Sequence, residues 1–251
     1  MTRIGLRLAL AYRSNIVFMM VTLVAQVFLL RMIWTAVYGA RTEAAGITLP
    51  QLLAYLTLAN LQVFAMNTQV SRIISHRIRT GTVFFDLARP VGFMRQMTAF
   101  QAGNTLGGLL LLLPVVPVVL LVGSITAPAH LPGYVVTLVL GYAITVELAL
   151  LISLIGFWTL ETVWVAVLFR LVSQFFAGTM VPLAFFPGFL GALADVLPFK
   201  YMGYVPAGVY IGHITELVPT VLGELAWAAG LALLLQLIWS RAHRRVVIQG
   251  G

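Results

Sequence analysis

From Gln96 to Val146 the chain carries no Asp, Glu, Lys or Arg. The run is rich in Leu and Val, broken only by glycine and proline, and is the longest of several of its kind. A soluble domain has nowhere to bury such a slab. A bilayer takes about 20 apolar residues per spanning helix, so this run is long enough to cross twice. The chain is therefore constrained to be an integral membrane protein. Composition agrees: 61% of the 251 residues are hydrophobic and 9% charged, against roughly 25% charged in soluble domains. The length leaves room for about six spans with short loops, and none for a sizeable soluble domain beside them. Cysteine is absent, which excludes a disulfide framework and a thiolate metal site. The formal charge of +8 would suggest nucleic acid in a soluble protein. In a membrane protein it marks arginines facing the cytoplasmic leaflet, so no nucleic-acid partner is expected. No cleavable leader is expected either, because the first apolar run begins only after Arg3, Arg7 and Arg13 and no small-residue cleavage site follows it.

Charged residues and turn formers divide the chain into six expected spans. They run from about Asn15 to Tyr38, Pro50 to Val70, Met97 to Val122, Gly133 to Phe157, Val163 to Phe186 and Pro219 to Trp239. Each must be helical, since lipid offers the backbone no hydrogen-bond partner. The expected fold is all-α and polytopic. An even number of spans places both termini on one side. That side holds Arg3, Arg7 and Arg13, then Arg72, Arg77, Arg79, Arg89 and Arg95, then Arg241, Arg244 and Arg245. Under the positive-inside rule it is cytoplasmic.

Three segments do not read as spans. Residues 1–14 carry Ile4, Leu8 and Ala11 at helical spacing with Arg3 and Arg7 on another side, the pattern of an interfacial helix; a frayed basic tail is the alternative. In the cytoplasmic segment 71–97, Val70, Ile73, Ile74 and Ile78 recur every three or four residues, while Arg72, His76 and Arg79 lie away from them. This predicts an amphipathic helix ending near Gly81, a residue type suited to the left-handed cap position. A loop this long between spans needs a reason. It is either a docking segment for a cytoplasmic partner or a basic loop held on anionic lipid. On the outer side, prolines 182, 187, 198 and 206 cut residues 181–216 into pieces. The ten residues between Pro187 and Pro198 reach about 15 Å as a helix, half of a hydrocarbon core about 30 Å thick. Residues 187–216 are therefore expected to dip in and return. Phe185, Phe186, Phe189 and Phe199 sit there as interfacial belt or as ligand contacts.

Four ionisable residues fall inside spans: Arg31, Glu147, Arg170 and Glu224. Such groups are costly in lipid and are functional candidates by default. Glu147 with Arg170, or Arg31 with Glu224, would offset each other as static pairs; a proton relay or substrate contact is the other reading. Catalytic signatures are missing. The only lysine, Lys200, follows Phe199 rather than a glycine-rich loop, so the chain is not its own ATPase. No H-E-x-x-H pair, no paired aspartates and no G-x-S-x-G elbow occur.

Three stretches carry a resemblance: Arg77-Ile78-Arg79-Thr80-Gly81 running to Leu87-Ala88-Arg89-Pro90-Val91, Gly178-Thr179-Met180-Val181-Pro182-Leu183-Ala184-Phe185-Phe186-Pro187, and Leu197-Pro198-Phe199 followed by Pro206. With the elbow, the six spans and the proline-broken outer segment, the chain resembles the permease subunit of bacterial ABC-2-type exporters over nearly its whole length. The resemblance implies a single transmembrane domain over 1–251 in the plasma or inner membrane, dimerising with itself or with a sister permease. It implies two cytoplasmic ATPase subunits per complex, which bind ATP and magnesium; no cofactor is expected on this chain. The 71–97 loop becomes a coupling helix, with Arg72, His76, Arg77, Arg79, Gly81, Asp86, Arg89 and Pro90 at the ATPase. Phe185, Phe186, Pro187, Phe189, Pro198 and Phe199 become an outer gate. A path at the dimer interface, lined by the second and fifth spans, exports a hydrophobic or amphiphilic compound. The alternative is a proton-coupled secondary transporter using Glu147.

Overall fold

The computed structural model describes residues 13–66, 68, 70–159 and 163–249. The expected interfacial helix over 1–14 lies outside them, except that Arg13 and Ser14 already belong to the first helix. The described residues are mostly helical. Helix α1 (Arg13–Tyr38) leads into a small antiparallel hairpin, β1 (Glu43–Ala44) and β2 (Ile47–Thr48), with Glu43 opposite Thr48. The hairpin departs from the all-helical expectation. Helix α2 (Leu49–Ala65) starts on Pro50, where a missing N–H costs nothing, and Gln51 Oε1 accepts from the Thr48 N–H at 3.0 Å.

The segment expected to dock a cytoplasmic partner consists of α3 (Val70–Arg79) and α4 (Val83–Leu87). Gly81 between them has φ +71°, the left-handed cap its sequence position predicts. Then come α5 (Phe93–Leu112), α6 (Val116–Gly123) and the long α7 (Leu131–Leu154). Helix α8 (Val163–Phe176) is followed by α9 (Gly188–Val196), a 3₁₀ turn Pro198–Met202, α10 (Tyr204–Tyr210) and α11 (Leu217–Gln249).

Helix α7 is the axis of the molecule. At about 36 Å it matches a full crossing, and different faces of it meet different partners. Val146, Ala149, Leu150 and Leu154 of its C-terminal half form one core with Val70 and Ile74 of α3, Val83 of α4, Phe93 and Met97 of α5, and Leu235 of α11. On another face Ile144 and Leu148 pack on Phe199, Tyr201 and Val205, and near its start Tyr134 meets Tyr210 of α10 at 5.2 Å. Gly141 is required there: a Cβ would collide with the Tyr201 carbonyl oxygen. Two opposite ends follow, one bearing the arginine-rich segment and one the proline-broken segment.

Four helical regions are long and apolar enough to cross a bilayer: Met20–Tyr38, Leu49–Arg79, Leu131–Phe157 and Leu217–His243. The two remaining expected spans are built differently. The third is not one helix: it breaks at residues 113–115, because Pro114 and Pro117 each remove a backbone donor and crowd the carbonyl four residues back. The fifth ends at Phe176 instead of Phe186. Its 14 residues cover about 21 Å, and irregular backbone continues the path. That backbone is satisfied by side chains. Tyr55 Oη donates to the Gly178 carbonyl at 2.8 Å, Asn60 Nδ2 to Thr179 at 2.9 Å and Trp34 Nε1 to Met180 at 3.3 Å. Three consecutive carbonyls are thus held by α1 and α2, as non-helical chain at membrane depth requires. Much of the outward surface is apolar, with Leu110, Leu113, Leu121, Val139, Leu168 and Leu233 all exposed, a surface suited to lipid rather than water.

Candidate functional site

Helix α3 turns two faces to two tasks. Val70 and Ile74 are buried in the core, with Ile78 packed on its edge, as their spacing predicts. Ile73, expected on that stripe, is only half-buried. Arg77 leaves the core on the side of α4, where its Nη1 donates to Asp86 Oδ2 at 2.6 Å. Arg89 stands 3.7 Å from Asp86 Oδ1. Asp86 is 5% exposed, so two cations share one sheltered carboxylate. Gln96 of α5 ties the far side of the loop, donating to the Asp86 and Val91 carbonyls at 2.8 and 2.7 Å. Pro90 and Gly81 bracket the unit in exposed turns. What this clamp presents is apolar: Phe85 is 73% and Phe84 45% exposed at its tip. Sequence reasoning named the charges and overlooked the two rings, whose exposed position only the clamp makes evident.

Arg72 and Arg79, seven residues apart, line a cavity together with Ser71 and Ser75 of the same helix. Its volume is about 440 Å³, within the usual range for ligand sites. Asn60 and Gln26 lie deeper in its wall, with Gln26 Nε2 donating to Asn60 Oδ1 at 2.8 Å. Arg170, Phe169 and Ser173 of α8 close it from another side. His76 is exposed.

At the opposite end the expected gate residues divide. Phe186 stacks on Phe175 at 5.0 Å and meets Phe176 at 6.3 Å; Phe199 stacks on Phe176 at 6.3 Å and meets Phe169 at 5.7 Å. Phe185 turns the other way, onto Trp34 of α1 at 4.9 Å. Pro198 is buried at the start of its 3₁₀ turn, whereas Pro187 precedes α9 in an exposed position. Phe189 stands apart, exposed.

Neither expected ion pair between spans forms. Arg31 Nη1 instead donates to the Val122 carbonyl at 2.6 Å, which places a cation on the C-terminal end of α6, where it is favoured. Glu224 is fully buried and neither of its carboxyl oxygens has a hydrogen-bond partner; Glu147 Oε2 is likewise unpartnered. Arg170 faces the cavity rather than Glu147. The pairing expectation failed because a backbone carbonyl and a cavity leave no trace in residue spacing.

The sequence profile of the ABC-2 family transporter proteins matches residues 15–250. The chain belongs to this family. It is therefore a multi-pass ABC-2 permease, the membrane subunit of an ABC transporter, and works with ABC ATPase subunits rather than hydrolysing ATP itself. Energy from a partner removes the need for a proton-driven cycle at Glu147. No curated protein and no solved structure gives a significant match.

Proposed function

We propose that this ABC-2 permease is the membrane half of an ATP-driven exporter for a hydrophobic or amphiphilic compound. Six crossings are assigned to α1, α2, α5 with α6, α7, α8 with the backbone after it, and α11. The termini and the α3–α4 unit are cytoplasmic, and residues 187–216 form an outer re-entrant segment. Two ATPase subunits and a second permease, identical or sister, complete the complex. The observation that carries this reading is the Arg77–Asp86–Arg89 clamp, which fixes Phe84 and Phe85 outward from an apolar anchor. A flexible loop held on lipid has no use for such a support. A ring pair on a fixed base fits a groove in a partner.

In this mechanism ATP closes the ATPase pair and drives the two α3–α4 units. The push reaches α7 through the shared core of Ile74, Val83, Leu150 and Leu154. A path at the permease interface, lined by α2 and α8, opens outward, and Phe186 and Phe199 part at its far end. ATP supplies the differential affinity that any such switch needs. The test is recovery of the cognate ATPase on the tagged permease. Phe85→Glu is expected to abolish it, and Arg77→Asp or Asp86→Arg alone to weaken it. The double swap Arg77→Asp with Asp86→Arg restores it. Unchanged ATPase recovery and transport in Phe85→Glu and Asp86→Arg overturns the assignment.

A further inference from the structure

Beside helix α3 of the clamp, the 440 Å³ cavity combines two chemistries, a cationic rim of exposed arginines and an apolar wall. Arg72, Arg79 and Arg170 line it, no described acidic residue does, and none of the three makes an ion pair or side-chain hydrogen bond among the described residues. The nearest carboxylate on the docking segment, Asp86, is taken by Arg77 and Arg89. Arg170 lies about 10 Å along α8 from Val163 and is exposed toward the cavity. The rest of the wall is apolar or neutral: Leu23, Phe64, Phe169 and Met202 beside Thr145 and Ser173. From Phe169 a ladder of rings continues through Phe199 and Phe176 to Phe186 at the opposite end.

We infer that this cavity is the loading site for an anionic amphiphile. Its phosphate-like head is held by Arg72, Arg79 and Arg170, and its apolar body lies against Phe169 and the rings beyond. Three guanidiniums without a counter-ion among the described residues have no purpose toward a pure hydrocarbon, and an aromatic ladder has none toward a small hydrophilic anion. Guanidinium is the donor suited to phosphate and carboxylate geometry. The assignment rests on the transport reading above and deepens it. Because Arg72 and Arg79 share α3 with Arg77, the helix that holds the cargo's head is the one that meets the ATPase.

The test uses the full-length permease in nanodiscs of neutral phosphatidylcholine. The probe is a lysophosphatidate carrying a fluorescent acyl chain, with the lysophosphatidylcholine of the same chain as control. Saturable binding of the lysophosphatidate is expected, at least about tenfold tighter than the control. Arg72→Gln and Arg170→Gln should each weaken it about tenfold, the loss of one charge-assisted contact, while Arg170→Lys keeps most of the affinity. Equal affinity for the two head groups, or unchanged affinity in both Gln variants, overturns the inference. Displacement by millimolar inorganic phosphate as effective as by unlabelled lysophosphatidate also overturns it, since that marks a site for the free anion. Recovery of the ATPase on Arg170→Gln separates the two claims. If the ATPase binds and the lysophosphatidate does not, only the cargo assignment falls; if the wild-type permease recovers no ATPase, the transport reading falls.

Discussion

Asp86 has three ties: two arginines on its carboxylate and Gln96 on its carbonyl. Asp86→Asn leaves Arg77, whose side chain is 27% exposed, with a neutral partner. A loss of about 1–3 kcal/mol in local stability follows, read as faster proteolysis across residues 81–92 with the global melting temperature nearly unchanged. Asn60 bridges α2, Gln26 and the Thr179 carbonyl. Asn60→Leu strands two buried groups, so the melting temperature should fall by several degrees, about 2–4 °C per kcal/mol in a chain of this size. Gly141→Ala drives a methyl into the Tyr201 carbonyl and should destabilise by about 1–3 kcal/mol. Gly107→Ala, with open space around it, is the matched control and should be neutral.

At the scale of elements, the sequence made the long helices legible because charge-free windows and caps mark them. The amphipathic α3 was legible too, down to its glycine stop. The break at Pro114 was obscured by its setting, a run of Leu and Val in which two prolines look like tolerated kinks. The early end of α8 was hidden for another reason. Helical continuation from Phe176 loses to side-chain donors on α1 and α2, more than a hundred residues away in sequence. Partners of that kind, like the Val122 carbonyl that holds Arg31, are invisible to spacing rules. The corner between α10 and α11 adds a pH prediction. His213 donates its backbone N–H to the Gly208 carbonyl at 2.9 Å and sets its ring against Tyr204. Burial lowers its pKa below the ordinary 6.5, so folding favours the neutral ring. This contribution is complete above the unfolded pKa and is lost as pH falls below 6.5 through the folded value. Amide protection factors across residues 204–216, with the intrinsic pH dependence of exchange divided out, should fall between pH 7 and pH 5, and His213→Phe should flatten that response.

For the whole molecule, the absence of cysteine makes single thiols clean reporters. Ala127→Cys, in the exposed turn before α7, should react with an impermeant maleimide on intact cells. Ala88→Cys, beside the docking clamp, should react only after the membrane is opened. Reversed labelling would invert the proposed orientation. Ala166→Cys, half-buried in the cavity wall, should be reactive in the resting complex and protected several-fold once the ATPase is trapped closed with nucleotide. In the proposed cycle helix α7 joins these events, because the core around Ile74 grips its C-terminal end and the Tyr201 corner rests further back, against Gly141 and Ile144. A stiff rod about 36 Å long that pivots by about 5° carries its tip roughly 3 Å, close to the width of a methyl group. In the proposed cycle a lever of those proportions, hinged at one end, turns a modest shove at the motor into the displacement that unseats one aromatic ring from the next.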